Sequence, residues 1–421
     1  MAKKHIFISA LILMLIIPSL WLYLNPNRLA KVDHADGDYL VYATAQNYGK
    51  SDLFFYDPEK DLHEKILTDW EIKGVSLSKT DRLAISAARD GLTSIFVLDY
   101  PFVGSEIKKV SGKITTEYGY RMEWSNSGQL LAYSPWVLRS EPSYLYIWDG
   151  KQSKLIAQSK GGFGDMDWGP NNQLAYVDHR LSSDTEPDEI FIWDLEKTVN
   201  LSQNPNGTDR FPKWNEDGEL AFISERNGDY DVFVWNGSSF DQAGRPDASS
   251  FENIAPQLTQ YYSNPVWTAS GTVSFTGRDL TDPSPQIYDW DGLQATNVSR
   301  QPNIHAVGQE WHQSGNWSYF RPYWDEPQTY VLDANNDVQL ELKAFDTTWS
   351  DSGYFAACEH AKSITDFKWN FQNWQLPKPV IQYETSFNLL FVNGDQINTL
   401  ANGKFIYAAW SNGNRLSCSL G

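Results

Sequence analysis

Most of the chain consists of short apolar runs separated by polar turns, and one phrase of this pattern recurs. An aromatic anchor is followed by a polar turn that usually contains glycine, and then by a strand of the type Leu-Ala-Tyr. Copies of this phrase begin at Leu77, Trp124, Trp168, Trp214, Trp267, Trp311 and Trp349. A repeat of roughly 40 to 50 residues indicates an architecture built from similar supersecondary units.

A second phrase follows the first in each unit and ends in an acidic or amide turn. Clear copies run from Leu145 to Asp149, from Ile190 to Asp194 and from Val232 to Asn236. These runs are apolar on both faces, which is typical of strands that are packed on both sides. About four short strands per unit predict an all-β fold, a β-propeller, in which the large anchors wedge between neighbouring blades.

The number of blades depends on how the end of the chain is interpreted. The first unit, from Tyr39 to Leu67, lacks an innermost strand, and the tail from Lys404 to Trp410 supplies one if there are eight blades. Alternatively, the tail forms a unit of its own with the segment from Leu416 to Leu420, and seven blades result. We favour eight, because pairing between the two ends of the chain protects edges that an open sheet would expose.

The N-terminus carries a different pattern. Residues 6–24 contain no charge and follow Lys3 and Lys4. A stretch of this length predicts a transmembrane signal-anchor helix, with residues 1–5 in the cytoplasm, a linker over 25–37 and an extracytoplasmic propeller over 38–421. The alternative is a cleaved signal peptide, but the small residues that define a cleavage site are missing.

Composition and charge narrow the picture further. The chain has 18 Trp, 22 Tyr and 21 Phe beside 28 Gly and only 4 Met, which is typical of strands and turns. Its 34 basic and 53 acidic residues give a net charge of −19, so we expect no binding to nucleic acid. The two cysteines, Cys358 and Cys418, exclude a disulfide scaffold; we favour two buried free thiols, with a disulfide as the alternative.

The unit from Trp214 to Trp235 resembles the WD-like repeats of the TolB propeller family and of the propeller half of prolyl-oligopeptidase-type peptidases. The resemblance covers about residues 38–360 and the tail. It implies the fold but no particular function, since unrelated activities occur on propellers. No residues remain for the hydrolase domain of the peptidases, and the extra α/β domain of TolB is missing, so a role in the Tol system is not implied.

Candidate binding residues lie in the loops between the second and third strands, which should emerge on one face of the ring. Three of these loops are enlarged, at 134–142, 178–187 and 320–327, and a long loop insertion covers 359–385. Their aromatic and charged side chains suit a sugar or a peptide. The candidates are Trp136, Arg139, His179, Arg180, Arg321, Tyr323, Trp324, His360, Trp369 and Trp374. Alternatively, Phe367, Trp369 and Phe371 alternate like a strand and only extend the last blade.

Motifs for catalysis are missing from the sequence. It contains no Gly-x-Ser-x-Gly elbow, no His-Glu-x-x-His and no phosphate-binding glycine loop. The segment from Asp333 to Asp337 has the oxygen spacing of a calcium loop, but it also fits an ordinary turn. We therefore expect a non-catalytic binding or scaffold module without metal or cofactor, for a protein, peptide or envelope glycan. The alternative is a glycan lyase or hydrolase, which carboxylates or histidines converging at the axis would favour.

Overall fold

Antiparallel β-sheets and the turns that join them make up the part of the chain that the computed structural model describes. It describes residues 37–47, 49–89, 91–110, 119–136, 142–179, 187–205, 207–241, 244–256, 258–260, 264–279, 284–300, 305–321, 327–370, 378–394 and 396–418. The helical content of these residues is a single 3-10 turn at Ala248–Ser250. None of them belongs to a helix that is long and apolar enough to cross a bilayer. The transmembrane helix predicted for residues 6–24 lies outside the described residues.

The described strands form seven sheets. Sheet 1 has eight strands, which are β1 (Leu40–Asn47), β2 (Lys50–Asp57), β3 (Leu62–Leu77), β4 (Arg82–Arg89), β5 (Leu92–Asp99), β6 (Lys108–Lys109), β32 (Phe405–Trp410) and β33 (Arg415–Cys418). Their order in the sheet is β33-β32-β1-β2-β3-β4-β5-β6. The long strand β3 pairs with β2 through its first half and with β4 through its second half.

The other sheets follow in chain order. Sheet 2 contains β7 (Tyr120–Trp124), β8 (Leu131–Pro135), β9 (Ser143–Trp148) and β10 (Ser153–Ser159). Sheet 3 contains β11 (Phe163–Trp168), β12 (Leu174–Asp178), β13 (Glu189–Trp193) and β14 (Thr198–Asn200). Sheet 4 contains β15 (Asp209–Trp214), β16 (Leu220–Ser224), β17 (Asp231–Trp235) and β18 (Phe251–Asn253).

The last three sheets complete the described chain. Sheet 5 contains β19 (Thr259–Gln260), β20 (Val266–Trp267), β21 (Val273–Arg278), β22 (Gln286–Trp290) and β23 (Ala295–Asn297). Sheet 6 contains β24 (Val307–Trp311), β25 (Trp317–Arg321), β26 (Gln328–Leu332) and β27 (Val338–Leu342). Sheet 7 contains β28 (Ala344–Trp349), β29 (Phe355–Asn370), β30 (Lys378–Asn393) and β31 (Gln396–Gly403).

The recurring phrase has the same structure wherever it occurs. The anchor ends one strand, and the chain turns so that the anchor pairs with the first strand residue after the turn, as in Trp124 with Leu131 and Trp168 with Leu174. The predicted wedging of the anchors is confirmed. Trp124 donates its indole N–H to the carbonyl of Ser76 at 3.1 Å, on the strand that carries the preceding anchor. Each anchor therefore joins two successive units by packing and, at this site, by a hydrogen bond.

The tail pairs with the first strand of the ring, as the sequence predicts. Leu40 on β1 lies opposite Trp410 on β32, in the register that the other anchors show. Trp410 donates its indole N–H to the carbonyl of Thr348 on β28, so the tail also contacts the last sheet. Both edges that a linear row of sheets would leave open are thus covered.

The two cysteines correct one expectation. We favoured free thiols, but Cys358 on β29 and Cys418 on β33 form a disulfide. Both are fully buried in the apolar cluster between sheets 7 and 1. Ring closure carries β33 beside β29 and brings the two Cα atoms to 5.6 Å, within the range that a disulfide requires. The sequence separation of 60 residues concealed this proximity.

The segment expected as a long loop insertion is a β-hairpin over most of its length. Strands β29 and β30 pair continuously from Phe355 with Val392 to Asn370 with Lys378. Strand β28, by contrast, accompanies β29 only as far as Glu359. The alternation that we noted at Phe367 and Trp369 is therefore that of a strand, and the hairpin extends beyond its own sheet.

Candidate functional site

A large cavity lies where the sheets converge. Two compartments of about 740 and 620 Å³ share several lining residues and form one continuous space. Every one of the seven described sheets contributes to the lining. This axial cavity is defined by its ionisable residues, which are Lys73, Arg121, Glu123, Asp165, Asp167, Lys213, Glu310, Asp346 and Arg415.

The position directly before an anchor supplies much of this charge. Glu123, Asp167, Lys213 and Glu310 each precede an anchor tryptophan and line the cavity. The anchor side chain packs between sheets, and side chains alternate along a strand. The preceding residue is therefore directed towards the axis.

Ion pairs between successive sheets hold most of these side chains. Lys213 lies 3.3 Å from the carboxylate of Asp167, which also accepts the backbone N–H of Trp214 at 2.7 Å. Attraction to Asp167 raises the pKa of Lys213. Arg121 lies 3.7 Å from Asp165, on the neighbouring sheet. These pairs fix charged groups in place before any ligand arrives, which reduces the entropy that binding would cost.

The carboxylates of Glu310 and Asp346 differ from the others. Neither has an ion-pair partner among the described residues. The Glu310 side chain is exposed to the axial cavity. Its partial desolvation inside the ring, together with the negative charge of Asp346, raises its pKa to about 7. Burial also raises the pKa of Asp346, although the backbone N–H groups of Thr347 and Ser417 donate to that carboxylate. A protonated and an ionised carboxyl can therefore coexist here near neutral pH.

Two of the predicted binding residues lie at or beside the axial cavity. Trp136 lines the cavity and is 55% exposed, with the guanidinium of Arg121 at 4.6 Å from its ring centroid. His179 lies 3.0 Å from Asp188 through Nδ1 and packs beside Gly164, which lines the cavity. Both follow the second strand of a unit, as expected for the enlarged loops.

The remaining candidates are dispersed or undescribed. Arg321 donates to the hydroxyl of Tyr330 at 2.6 Å. His360 stacks on Phe345 with ring centroids 4.6 Å apart, behind a residue that lines the cavity. The backbone of Trp369 pairs with Pro379 on the extended hairpin. Arg139, Arg180, Tyr323, Trp324 and Trp374 lie outside the described residues, so their role stays a prediction.

The chemistry of the axial cavity is that of a polar binding site. The volume of each compartment falls within the range of ligand sites, and aromatic rings such as Trp136 and Phe211 lie among the charged groups of the larger one. Among the described residues, no group of three histidine, cysteine or acidic side chains is arranged to hold a metal ion. Asp333 accepts the backbone N–H groups of Asn335 and Asp337, which is the geometry of a turn.

Comparison with known proteins shows the fold. No protein-family model and no curated protein sequence matches the chain. Among solved structures, a puromycin-hydrolysing peptidase of Mycobacterium tuberculosis matches with a TM-score of 0.52 and 10% identity over 77% of this chain and 57% of that one. A prolyl endopeptidase matches with a TM-score of 0.51 and 12% identity over 85% of this chain and 55% of that one.

TolB of Acinetobacter baumannii is also similar, with a TM-score of 0.39 and 11% identity over 71% of this chain and 78% of that one. The chain spans little more than half the length of the two peptidases. The resemblance drawn from the sequence is confirmed for the architecture, which is a β-propeller.

Proposed function

Starting from a β-propeller with a charged axial cavity, we propose that this chain is a non-catalytic binding module. Its ligand is a protein, peptide or envelope glycan that enters the axial cavity past Trp136. The observation that carries the proposal is that all described sheets line one polar cavity, in which ion pairs hold charged side chains of sheets 1 to 4 in place. Such groups are already desolvated and oriented, so they favour a ligand with complementary charge.

We propose further that the ring has eight blades. The pairing of β32 with β1, and of β1 with β2, supports this count. These three strands form a complete blade with the first half of β3, while the second half of β3 begins the next blade. The other six sheets then supply one blade each.

Anchoring of the propeller outside the cytoplasm by residues 6–24 is part of the proposal. The uncharged stretch and the lysines before it support this placement. Membranes should retain the full chain after washing with alkaline carbonate, whereas a chain that begins at Val32 should be released. Release of the full chain by the carbonate wash would contradict the proposal that residues 6–24 anchor it in the membrane.

A second candidate, a glycan-cleaving enzyme, is favoured by Glu310 and Asp346. A carboxyl group with a pKa of about 7 can donate a proton to a leaving group, and an ionised neighbour can act as base or nucleophile. Because the binding proposal requires no turnover, one set of variants separates the two functions.

The experiment measures binding by calorimetry and the release of reducing ends by a colorimetric assay, using soluble envelope glycan fragments and peptides as probes. For a binding module, Asp165→Asn should weaken binding about tenfold, the scale of one lost charged contact, and no probe should be cleaved. For an enzyme, the wild type should release reducing ends, and Glu310→Gln should slow this by about 100-fold or more. Glu252→Gln, an exposed change on β18, is the matched control and should alter neither readout. If every cavity variant bound and cleaved the probes as the wild type does, both proposed functions would be refuted.

A further inference from the structure

One strand interrupts the regular plan of the ring. In sheets 2, 3, 4, 6 and 7 the strand that carries the anchor is the terminal strand of the sheet, at the axis. In sheet 1 the strand that carries Trp410 is β32, and a further strand, β33, lies on its axial side. The two strands pair from Ile406 with Cys418 to Ala409 with Arg415. The axial edge of β32 is therefore already occupied by the end of the described chain.

The two faces of β33 have different surroundings. Leu416 and Cys418 are buried in the apolar cluster between sheets 7 and 1, and the disulfide fixes this side. Arg415 and Ser417 are exposed to the axial cavity. The apolar side therefore packs against the ring, while the polar side faces the charged groups of the cavity.

Arg415 makes the contacts that distinguish this strand. Its guanidinium donates to the carbonyl of Met122 and to the carboxylate of Glu123, both on β7. The backbone N–H of Ser417 donates to Asp346 at 3.3 Å. An extended segment thus pairs its backbone with an edge strand and places one basic side chain on an acidic group, which is a known mode of peptide recognition.

We propose that the axial edge of β32, together with Glu123 and Asp346, is a docking groove for an extended peptide that carries a basic residue. This inference rests on the proposed binding function and names its ligand class. The strand β33 is the resident occupant, and the disulfide between Cys358 and Cys418 retains it. A dithiol that reduces this disulfide becomes a disulfide itself, leaves two thiols on the protein and allows β33 to exchange with another peptide.

The net charge of −19 supports this ligand class, because it attracts cationic segments from solution. Once β33 leaves, the backbone groups of β32 that it paired with become free and supply affinity without regard to sequence. Specificity then resides in the pairing of the basic side chain with Glu123. Burial raises the pKa of this carboxyl, and the charge of Arg415 acts against that rise.

The test uses the full chain in detergent and a fluorescein-labelled peptide of residues 414–421 in which serine replaces Cys418. The variant chain carries Arg415→Ala and Cys418→Ala, so that its own tail is held weakly. Fluorescence anisotropy should show saturable binding of the peptide to this variant, and at least tenfold weaker binding to the oxidised wild type. Alanine at the arginine position of the peptide, or Glu123→Gln in the variant chain, should each weaken binding about tenfold. Adding Glu252→Gln to the variant chain should leave binding unchanged.

Circular dichroism establishes that each chain is folded. If the double variant is unfolded, Cys418→Ala alone takes its place, with the same expected order of affinities. A folded variant that does not bind the peptide, or that binds the alanine peptide equally well, would overturn the docking groove. If the peptide does not bind but another probe binds in the axial cavity, only the docking groove is refuted. If no probe shows binding that depends on the cavity residues, the proposed binding function is refuted as well.

Discussion

Two anchor tryptophans offer a matched test of what the indole N–H contributes to the ring. Trp168 is buried and donates its N–H to the carbonyl of Glu123 at 3.0 Å, on the preceding inner strand. Trp214 is equally an anchor and also buried, but its indole nitrogen has no hydrogen-bond partner among the described residues. Phenylalanine at either position removes the indole N–H and a similar volume of ring.

The losses in the free energy of unfolding that we expect for the two phenylalanine variants therefore differ by the hydrogen bond alone. In Trp168→Phe the carbonyl of Glu123 loses a buried donor, which costs about 1–3 kcal/mol in the free energy of unfolding. In Trp214→Phe a buried donor without a partner is removed, so only the packing loss remains. We expect Trp168→Phe to be the more destabilising by about 1–3 kcal/mol.

Urea unfolding of the chain that begins at Val32, followed by circular dichroism, measures this difference. The slope of free energy against urea must be the same for both variants, so that their midpoints can be compared. Equal losses in the two variants would show that packing alone joins the units and that the indole hydrogen bond contributes nothing.

Two further predictions concern the disulfide and a buried carboxylate. Reduction of the disulfide opens a loop of 60 residues, so the free energy of unfolding should fall by about 4 kcal/mol. Urea titrations with and without a dithiol measure this difference. An unchanged midpoint would show that the loop closed by the disulfide does not stabilise the fold. Burial raises the pKa of Asp209 to about 6, against the effect of Arg226 nearby, so stability should be full below the unfolded-state pKa of about 4 and fall as pH rises towards 6. Asp209→Asn should remove this part of the pH dependence in urea midpoints measured from pH 4 to 7; an identical profile in the variant would show that another group is responsible.

The repeat was predictable because each anchor and its paired strand are close in sequence. In every unit the anchor lies opposite a strand residue only six or seven positions later, as Trp124 lies opposite Leu131. The closure of β32 on β1 was also predictable, since the first unit lacked one strand and the tail matched it. Local pattern thus determines the sheets and their order.

The axial cavity was not predictable in the same way. Glu123, Asp167, Lys213 and Glu310 belong to different repeats, and their proximity exists only after the ring has closed. The signal was present as an ionisable residue directly before an anchor, whereas all the predicted binding residues belong to loops and the axis was named only for the alternative enzyme. Trp136 was predicted because it belongs to an enlarged loop, and it also lines the cavity.

The closing strand also dictates the order in which the fold can be completed. The backbone N–H of Tyr39 donates to Ser411 across 372 residues of sequence. The pairing of β1 with β32 in sheet 1 therefore cannot form until nearly the whole chain has been synthesised. Every other sheet can form from neighbouring segments as synthesis proceeds. Until residues 405–410 emerge, β1 exposes an unpaired apolar edge. The protein is therefore most vulnerable to misassociation late in its own synthesis, when it lacks only its final strands.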